Sequence, residues 1–377
     1  MNRHIPFSKI TRLGPSAEFF PPDFSYEEKR YNAASAAILE KLYFPARVFL
    51  TKSCTHALEL SALVAELKPG DEVILPSYGF VAIANAVVAR GARCIFTDIR
   101  KDTLNLDEQS IEQAITPRTR MVITMNYAGV ACEYDAIIEL KNKYGFVLVE
   151  DNAQGIGAFY KEKLLGSFGD LSAISFDSLK NVSCGQGGCL IVNDNRFYAS
   201  LRIAYEFGTN RMDFFENKTD KYEWKALGSN YALSEYLAAF LYPQLQQIDS
   251  INRVFLTHWE SYYQAFLPLA ERGLLDLPSI PPYCRHNGHL FHIRLKNPAD
   301  RTRMIDFLRK KGVTAQFHYT PLHLSDYGKQ HAEFRGNDHN TLYESSRLIR
   351  LPLFYSLSEH ERQYIIDSVY AFFGIKP

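Results

Sequence analysis

Short apolar runs alternate with amphipathic stretches between residues 47 and 190. The runs at 47–50, 73–75, 94–96, 121–124 and 146–149 have the length of strands, and the last two are almost continuously apolar. Continuous apolar runs are typical of strands buried on both faces, and the stretches between them have helical periodicity. We therefore predict βαβ units, a mostly parallel sheet, and a ligand site at the carboxyl ends of its strands.

The pattern changes beyond about residue 240. A long helical stretch, 233–259, is followed by a strand-like run at 290–295, a helix at 301–311 and an extended run at 314–317. The proline-rich segment 278–282 has the composition of a loop. We predict two domains, a large α/β domain over residues 1–245 and a small α+β domain over residues 246–377.

Composition narrows the functional classes. The 42 basic and 42 acidic side chains give no net charge, which argues against a nucleic-acid partner. No apolar run approaches the roughly 18 residues of a membrane span, and residues 1–6 contain no apolar signal-sequence core. The six cysteines form no CxxC pair and match no zinc pattern. These features predict a cytoplasmic protein with reduced thiols, no membrane partner and no metal site.

A lysine and a strand-end aspartate carry the candidate chemistry. Asp151 follows the apolar run 146–149, and Lys180 lies just before the glycine-rich turn 185–188. This pair suits pyridoxal 5'-phosphate (PLP), whose aldehyde forms a Schiff base with a lysine and whose pyridine nitrogen is kept protonated by a carboxylate. Once displaced by an incoming amine, the lysine can move a proton between substrate and cofactor, which requires a lowered pKa.

Other candidates for cofactor binding have structural alternatives. The segment Ser53-Cys54-Thr55 precedes a helix whose N–H groups suit a phosphate, but the same residues suit an N-cap. Asp151 also suits the N-cap of a helix that would begin at about Ala153. An aromatic residue of the segment Pro76-Ser77-Tyr78-Gly79-Phe80 can stack on a pyridine ring or pack in the core. Gln154 suits the phenolic oxygen of PLP, and Ser175 suits either its phosphate or an ordinary strand position.

Two pairs of residues near the C-terminus suit substrate contacts. His318 and His323 are five residues apart, but no third metal ligand accompanies them, so substrate contact or packing is favoured. Arg347 and Arg350 suit anionic groups of a substrate or ordinary salt bridges equally well.

These motifs together resemble the sugar-nucleotide aminotransferases of the DegT/DnrJ/EryC1/StrS family over essentially the whole chain. The matching segments are Ser-Cys-Thr at 53–55, Pro-Gly-Asp-Glu-Val at 69–73, Pro-Ser-Tyr at 76–78, Glu-Asp-Asn-Ala-Gln at 150–154, Ser-Phe-Asp-Ser-Leu-Lys-Asn at 175–181 and His-Tyr-Thr-Pro-Leu-His at 318–323. The similarity is greatest to the C4 transaminases of enterobacterial common antigen biosynthesis, at 208–211, 220–222 and 351–355. It implies an α/β fold, the aspartate aminotransferase-like fold type I of PLP-dependent transferases.

The resemblance also implies roles for single residues. Lys180 would carry the cofactor and Asp151 would pair with its pyridine nitrogen, as the two catalytic residues. The other cofactor-binding residues would be Cys54, Thr55, Phe80, Gln154, Ser175 and Asn230, of which Asn230 would reach the partner subunit's site in a homodimer with shared active sites. Tyr78, His318 and Tyr319 would contact the substrate.

Four positions depart from the usual pattern of the family. They are Asp177 in place of His, Gln186 in place of Glu, Asn126 in place of His and Ala232 in place of Arg. None of them replaces Lys180 or Asp151, so they bear on the sugar pocket and the glycine turn rather than on the amine chemistry.

The implied reaction is a ping-pong transamination with PLP and its amine form, PMP. L-Glutamate would donate the amino group to C4 of dTDP-4-keto-6-deoxy-D-glucose. The product would be dTDP-4-amino-4,6-dideoxy-D-galactose or its gluco epimer, used for a surface polysaccharide such as a lipopolysaccharide O-antigen. The alternative is amination at C3 of a dTDP-3-keto-6-deoxyhexose.

Two other classes of function are disfavoured. A sugar dehydratase is disfavoured because such members of the family replace the lysine with histidine. A DNA-binding regulator is disfavoured because there is no spare segment and no net positive charge.

Overall fold

The computed structural model describes residues 4–9 and 30–376. Residues 1–3, which belong to the segment without a signal-sequence core, lie outside the described residues. The strands are β1 (Arg47–Thr51), β2 (Glu72–Pro76), β3 (Arg93–Thr97), β4 (Thr119–Met125), β5 (Val147–Asp151), β6 (Phe159–Tyr160), β7 (Lys163–Leu164), β8 (Leu171–Ser175), β9 (Gly188–Val192), β10 (Leu275–Asp276), β11 (Cys284–Arg285), β12 (Phe291–Leu295), β13 (Ala332–Phe334) and β14 (Leu348–Leu351).

The helices follow the strands in the alternation that the sequence predicts. They are α1 (Arg30–Leu42), α2 (Cys54–Val64), α3 (Ala82–Val88), α4 (Glu108–Ala114), α5 (Tyr134–Tyr144), α6 (Tyr198–Tyr205), α7 (Arg211–Phe215), α8 (Glu235–Leu245), α9 (Ile248–Glu271), α10 (Pro298–Lys310), α11 (Asp326–His331), α12 (His339–Arg347) and α13 (Glu359–Phe372). Most of these helices begin at a residue that can cap them. Ser53, Asp107, Asn297 and Ser358, for example, each accept a backbone N–H from the first turn.

An eight-stranded sheet organises the larger part of the chain, with strand order β1-β9-β8-β5-β4-β2-β3-β13. The pairs from β8 to β13 are parallel, whereas β9 is antiparallel to both β8 and β1. The mostly parallel sheet is therefore as predicted. Because helices cover it, its central strands are buried on both faces, which explains their continuous apolar runs.

The C-terminal part has a three-stranded antiparallel sheet, β10-β12-β14, packed with α10, α12 and α13. Its strand β13, however, returns to the edge of the large sheet and pairs in parallel with β3. A buried carboxylate fastens this edge, because Glu72 accepts hydrogen bonds from Arg335 at 3.0 Å and from Arg118 at 3.0 Å. These contacts hold the Glu72 pKa at about 2 against the desolvation that raises it.

Two details differ from the expectations. The helical stretch 233–259 is divided into α8 and α9, with Gln247 at φ −122° and ψ 19° between them. The extended run 314–317 makes only an isolated bridge, from Gln316 to Arg350. Both segments contact distant residues: Gln244, at the end of α8, hydrogen-bonds to the backbone of Ser183, and Gln316 exchanges backbone hydrogen bonds with Arg350.

Among the described residues, none of the helices is both long enough and apolar enough to cross a membrane.

Candidate active site

A cavity of about 440 Å³ opens at the carboxyl ends of the parallel strands. Met125 ends β4, Asp151 ends β5 and Ser175 ends β8, so three strand ends form its floor. The opposite side is formed by residues of the C-terminal part. The polar residues of the lining are Ser53, Thr55, Asp151, Gln154, Ser175, Asp177, Lys180, Gln186, His289, Gln316, His318, Tyr319 and Arg350.

The N-terminus of α2 forms one end of the cavity. Ser53 caps this helix by accepting the His56 N–H at 3.2 Å, and Cys54 and Thr55 are its first two residues. Backbone N–H groups in a first turn have no intrahelical acceptor, so this end offers donors and a positive dipole to an anion. The segment Ser53-Cys54-Thr55 can therefore both cap the helix and bind a phosphate. Ser53 is the cap, and its two neighbours line the cavity.

Gly188 lets the sheet approach this helix closely. It lies opposite Ser175 in the β8–β9 pair. A Cβ atom at Gly188 would be 2.4 Å from the Cys54 nitrogen and 2.5 Å from the Ser53 carbonyl carbon. Any side chain there would push the helix terminus away from Ser175, so the glycine brings the helix donors and the Ser175 hydroxyl to one place.

Asp151 and Lys180 face the same cavity and influence each other's charge. Burial raises the pKa of Asp151 to about 6, although the Ala153 N–H and the Lys180 charge oppose this shift. Burial lowers the pKa of Lys180, and the Arg350 charge adds to that effect, while Cys54 and Asp151 oppose it. A lysine with a lowered pKa is available as a neutral amine more often than a surface lysine.

The Lys180 segment is a loop closed by backbone hydrogen bonds. The Phe176 N–H donates to the Gly187 carbonyl at 2.9 Å, and the Lys180 N–H donates to the Asp177 carbonyl at 3.0 Å. The Asp177 carboxylate accepts the Leu179 N–H at 3.2 Å. One of the four unusual residues, Asp177, thus shapes the loop that presents Lys180.

Gln154 links the two sides of the cavity. Its side-chain oxygen accepts the Ala128 N–H at 2.7 Å, and its amide group donates to the Tyr319 hydroxyl at 3.2 Å. Both partners fix the amide orientation. Gln154 and Tyr319, which the sequence places 165 residues apart, are therefore direct neighbours.

The two aromatic candidates after β2 have different environments. Phe80 lines the cavity and is 56% exposed, so its ring is accessible. Tyr78 is fully buried and does not line the cavity, and its hydroxyl donates to the His318 carbonyl at 2.6 Å. Tyr78 packs edge-on against Tyr319, with ring centroids 5.5 Å apart, so it supports the wall from behind.

His318 is held neutral by its two hydrogen bonds. Arg350 has only N–H donors, so its 2.8 Å contact makes the His318 Nε2 an acceptor, and the Nδ1 proton is left for the Tyr127 hydroxyl at 3.2 Å. Burial and the Arg350 charge lower the His318 pKa, in agreement with a neutral ring. His323 lies away from the cavity, where its ring contacts the buried Ser77 hydroxyl at 2.6 Å.

Asn230 lies outside the cavity of its own chain. It is exposed, and its backbone bridges to Glu206.

Besides Asp177, three residues depart from the usual pattern of the family, and they lie in different environments. Gln186 lines the cavity, whereas Asn126 is fully buried and accepts the Tyr134 hydroxyl at 2.7 Å. Ala232 is half-buried beside β1.

His289 also lines the cavity, and no motif in the sequence marks it. The Asn181 amide donates both to Asn252 and to the Asn287 carbonyl, so its oxygen accepts the His289 Nδ1 proton at 2.9 Å. This buried network connects the residue after Lys180 to α9 and to the C-terminal part. Its members are separated by up to 108 residues, and no local pattern marks them.

Comparison with known proteins identifies the family and the fold of the chain. The sequence profile of the DegT/DnrJ/EryC1/StrS aminotransferase family matches residues 36–370. The spore coat polysaccharide biosynthesis protein SpsC of Bacillus subtilis is 30% identical over 325 residues, which cover 84% of this chain and 83% of SpsC.

Solved structures show the same fold. The aminotransferase TlmJ from Streptoalloteichus hindustanus has a TM-score of 0.82 and 28% identity, covering 92% of this chain and 91% of TlmJ. DesV from S. venezuelae, crystallised in complex with a ketimine intermediate, has a TM-score of 0.81 and 28% identity, with 98% of each chain covered. The predicted fold type I architecture is thereby confirmed. The chain belongs to the DegT/DnrJ/EryC1/StrS aminotransferase family and is a PLP-dependent sugar aminotransferase.

Proposed function

We propose that this enzyme transfers the amino group of L-glutamate to C4 of dTDP-4-keto-6-deoxy-D-glucose, giving dTDP-4-amino-4,6-dideoxy-D-galactose or its gluco epimer. The observation that carries the amine chemistry is the pairing of Asp151 and Lys180 in one cavity. The sugar assignment rests on the resemblance of the C-terminal motifs to C4 transaminases. SpsC, named for polysaccharide biosynthesis, supports a sugar as the acceptor.

The residues of the cavity fit PLP. The helix N-terminus at Cys54 and Thr55, brought close to Ser175 by the missing Cβ of Gly188, suits the phosphate. Asp151 suits the pyridine nitrogen, because a cation beside it would stabilise the ionised carboxylate that burial disfavours. Phe80 has an accessible ring that suits stacking. When bound, PLP supplies an electron sink and carries the amino group between the two substrates.

Lys180 has two tasks in this proposal. Its Nζ atom holds the resting cofactor covalently and is released when the amino donor arrives. The free amine would move the proton from Cα of L-glutamate to the cofactor carbon that receives the amino group and, in the second half of the reaction, would move a proton from that carbon to C4 of the sugar. Burial supports this role, since it lowers the Lys180 pKa. The face of the sugar from which the proton arrives determines the galacto or gluco product.

The proposal includes a homodimer in which Asn230 reaches the partner subunit's phosphate site. Its exposure supports this, as does the neighbouring Trp224, which is 80% exposed. Tryptophan is enriched at protein–protein interfaces relative to the rest of the protein surface. We also propose the division into domains at residue 245, which falls at the end of α8.

The proposed location is the cytoplasm. All six cysteines are free thiols, which supports this location.

A two-step spectroscopic experiment tests the function. The PLP-loaded enzyme is treated with L-glutamate until the visible absorbance of the bound cofactor is lost, and the glutamate is then removed. We expect dTDP-4-keto-6-deoxy-D-glucose to restore that absorbance in a single turnover. NMR of the product would identify the epimer.

The control is the same sequence with the 3-keto isomer. Restoration by the 3-keto isomer alone would overturn amination at C4 and establish the C3 alternative. Failure of L-glutamate to change the absorbance would overturn the choice of amino donor.

A further inference from the structure

Asp177 is a carboxylate of the cavity that the proposed amine chemistry does not use. Within the described residues, Asp151 and Asp177 are the two carboxylates of the lining. Asp151 is buried and suits the pyridine nitrogen of the cofactor. Asp177 is half-buried and lies three residues before Lys180. Burial lowers the Lys180 pKa and the Asp177 charge opposes that shift, so the two side chains are close enough to interact.

The backbone directs the Asp177 side chain into the cavity. Successive side chains of an extended chain point to opposite faces. Ser175, at the end of β8, lines the cavity, and Phe176 is fully buried in the core on the other face. Asp177 lines the cavity again. It therefore continues the cavity-facing side of β8 beyond the end of the strand.

Gln186 lies beside Asp177 at the mouth of the cavity. The hydrogen bond from the Phe176 N–H to the Gly187 carbonyl, at 2.9 Å, extends the β8–β9 register and sets Asp177 opposite Gln186. A second backbone hydrogen bond, which the Ser178 N–H donates at 3.0 Å, follows on the other side. Side chains directly opposite in an antiparallel pair share a face, with Cβ atoms about 5 Å apart. Gln186 is exposed and lines the cavity, so Asp177 and Gln186 form one polar edge, the mouth pair.

The mouth pair has hydrogen-bonding groups to spare. The Asp177 Oδ1 atom accepts the Leu179 N–H and the Ser178 hydroxyl, each at 3.2 Å. Among the described residues, neither the Asp177 Oδ2 atom nor the Gln186 amide has a hydrogen-bond partner. The turn needs only one side-chain acceptor, which an asparagine would also supply. The second carboxylate oxygen is thus not explained by the loop.

We propose that the mouth pair is the subsite for hydroxyl groups of the hexose, in which the Asp177 Oδ2 atom accepts the hydroxyl adjacent to the keto carbon. A carboxylate only accepts hydrogen bonds, whereas an amide both donates and accepts them. Together they match neighbouring hydroxyl groups, each of which is a donor and an acceptor. The proposal rests on the proposed function in that the amino acceptor is a keto sugar.

Charge favours the hexose over the other parts of the two substrates. The Asp177 carboxylate would repel the diphosphate of a nucleotide sugar and both carboxylates of L-glutamate. The amino group of L-glutamate is the reacting group and is committed to the cofactor. A hydroxyl next to the keto carbon is neutral and only two bonds from the reacting carbon, which suits the short separation of Asp177 from Lys180. The same repulsion would turn the diphosphate away from this edge.

The test measures binding of dTDP-6-deoxy-D-glucose to the PMP-loaded enzyme by calorimetry. This sugar has no ketone, so it binds without reacting, and the effect of the Asp177 charge on Lys180 does not enter the result. For Asp177→Asn we expect the Kd to rise at least about 10-fold, as for a lost hydrogen bond to a charged group. For Gln186→Ala we expect a rise of about 2- to 10-fold, the range of one neutral hydrogen bond.

Two deoxy analogues locate the contact on the sugar ring. dTDP-3,6-dideoxy-D-glucose lacks the hydroxyl next to C4, so Asp177→Asn should not raise its Kd further. dTDP-2,6-dideoxy-D-glucose keeps that hydroxyl, so its Kd should rise in Asp177→Asn by the same factor as that of the parent sugar.

Matched variants exclude a general structural effect. Asp177→Asn keeps an oxygen for the Leu179 N–H and thus preserves the turn. Ser178→Ala removes the hydroxyl that contacts only the Oδ1 atom and should leave the Kd of the sugar unchanged. The KM for L-glutamate should not rise in Asp177→Asn, because no part of the amino donor contacts Asp177.

The outcomes separate the subsite from the proposed reaction. A loss of binding in Asp177→Asn that disappears with the 3-deoxy analogue would support the subsite, even if the 4-keto sugar is not aminated. Unchanged binding of the parent sugar in Asp177→Asn would overturn the subsite. An equal loss with both deoxy analogues, or a parallel rise in the KM for L-glutamate, would overturn it as well.

Discussion

The two walls of the cavity are built in different ways. The sheet wall, comprising Cys54, Thr55, Asp151, Ser175 and Lys180, consists of strand ends, a helix N-terminus and one loop, all from residues 53–187. The C-terminal wall, comprising His289, Gln316, His318, Tyr319 and Arg350, consists of side chains that bind one another or distant residues.

This difference suggests that the sheet wall performs the chemical step and that the C-terminal wall binds the substrate. The sheet wall carries the groups whose charge state suits amine chemistry, Asp151 at the end of β5 and Lys180 on the loop between β8 and β9. The C-terminal wall carries neutral rings and one cation whose positions depend on a network of contacts. Substitutions in the sheet wall should therefore affect the chemical step, whereas substitutions in the C-terminal wall should affect substrate affinity or stability.

The largest effect is expected for Lys180→Ala. The variant loses both the covalent anchor of the cofactor and the proton-transfer group, so turnover should fall by more than about 10⁴-fold, the upper range for one acid–base group. Steady-state assays of 2-oxoglutarate formation would measure this loss. Lys163→Ala, which removes an exposed lysine, is the control and should retain full activity. Near-normal turnover of Lys180→Ala would contradict the role of the sheet wall in chemistry.

Asp151→Asn should separate activity from stability. The amide cannot pair with a protonated pyridine nitrogen, so kcat should fall by about 10²- to 10³-fold, as for the loss of one electrostatic contact at a reacting group. The Asn oxygen can still accept the Ala153 N–H, which the Asp151 carboxylate accepts at 3.0 Å.

The same variant should be more stable than wild type in the absence of cofactor. The folded-state pKa of Asp151, about 6, is raised from its ordinary 3.8, so folding favours the protonated form. The wild-type protein thus gains stability as the pH falls from about 6 toward 4 and loses it as the pH rises. Above that window the ionised group costs about 2 to 3 kcal/mol, at 1.36 kcal/mol per pH unit. Urea denaturation at pH 5 and pH 8 would test this, because the gain from Asp151→Asn should be larger at pH 8.

Gly188→Ala should weaken the phosphate end of the sheet wall. The new methyl group would meet the backbone of Ser53 and Cys54, which cannot rotate away as a side chain can. We expect a loss of about 1 to 3 kcal/mol in stability, as for other overpacked sites, and weaker binding of PLP measured by fluorescence titration. Ser172→Ala, which removes a buried hydroxyl without a partner in the described residues, is the control in the adjacent strand. Unchanged PLP affinity in Gly188→Ala would show that the close approach is unimportant for the cofactor.

The smallest effect is expected where the C-terminal part contacts the large sheet outside the cavity. Ser77 contacts the His323 ring at 2.6 Å and accepts the His323 N–H at 3.1 Å. Ser77→Ala should lower the free energy of unfolding by about 1 to 3 kcal/mol, the cost of leaving a buried polar group unpaired, and leave kcat within about twofold. Thermal unfolding together with steady-state kinetics would measure both. A large loss of kcat with unchanged stability would mean that this contact belongs to the active site.

The sequence by itself determined the sheet wall. The alternation of apolar runs and helices placed β2, β4 and β5 correctly, and the carboxyl ends of parallel strands necessarily meet at one edge of the sheet. Asp151 and Ser175 lie at strand ends, and Ser53 caps a helix, so local pattern alone brought them to that edge. Such positions lie at strand and helix boundaries, which the local pattern of apolar and capping residues marks.

Only the tertiary structure decided the C-terminal wall. Arg347 and Arg350 are indistinguishable in sequence, yet one is neutralised by Glu344 and Asp276 and the other faces the cavity beside Phe7. The division of the helical stretch into α8 and α9 was equally hidden, because apolar periodicity continues on both sides of Gln247. Glu344 lies three residues before Arg347 in the same helix, but Asp276 and Phe7 are distant in sequence from the arginines that they contact. Contacts of that second kind depend on tertiary packing, which no local pattern encodes.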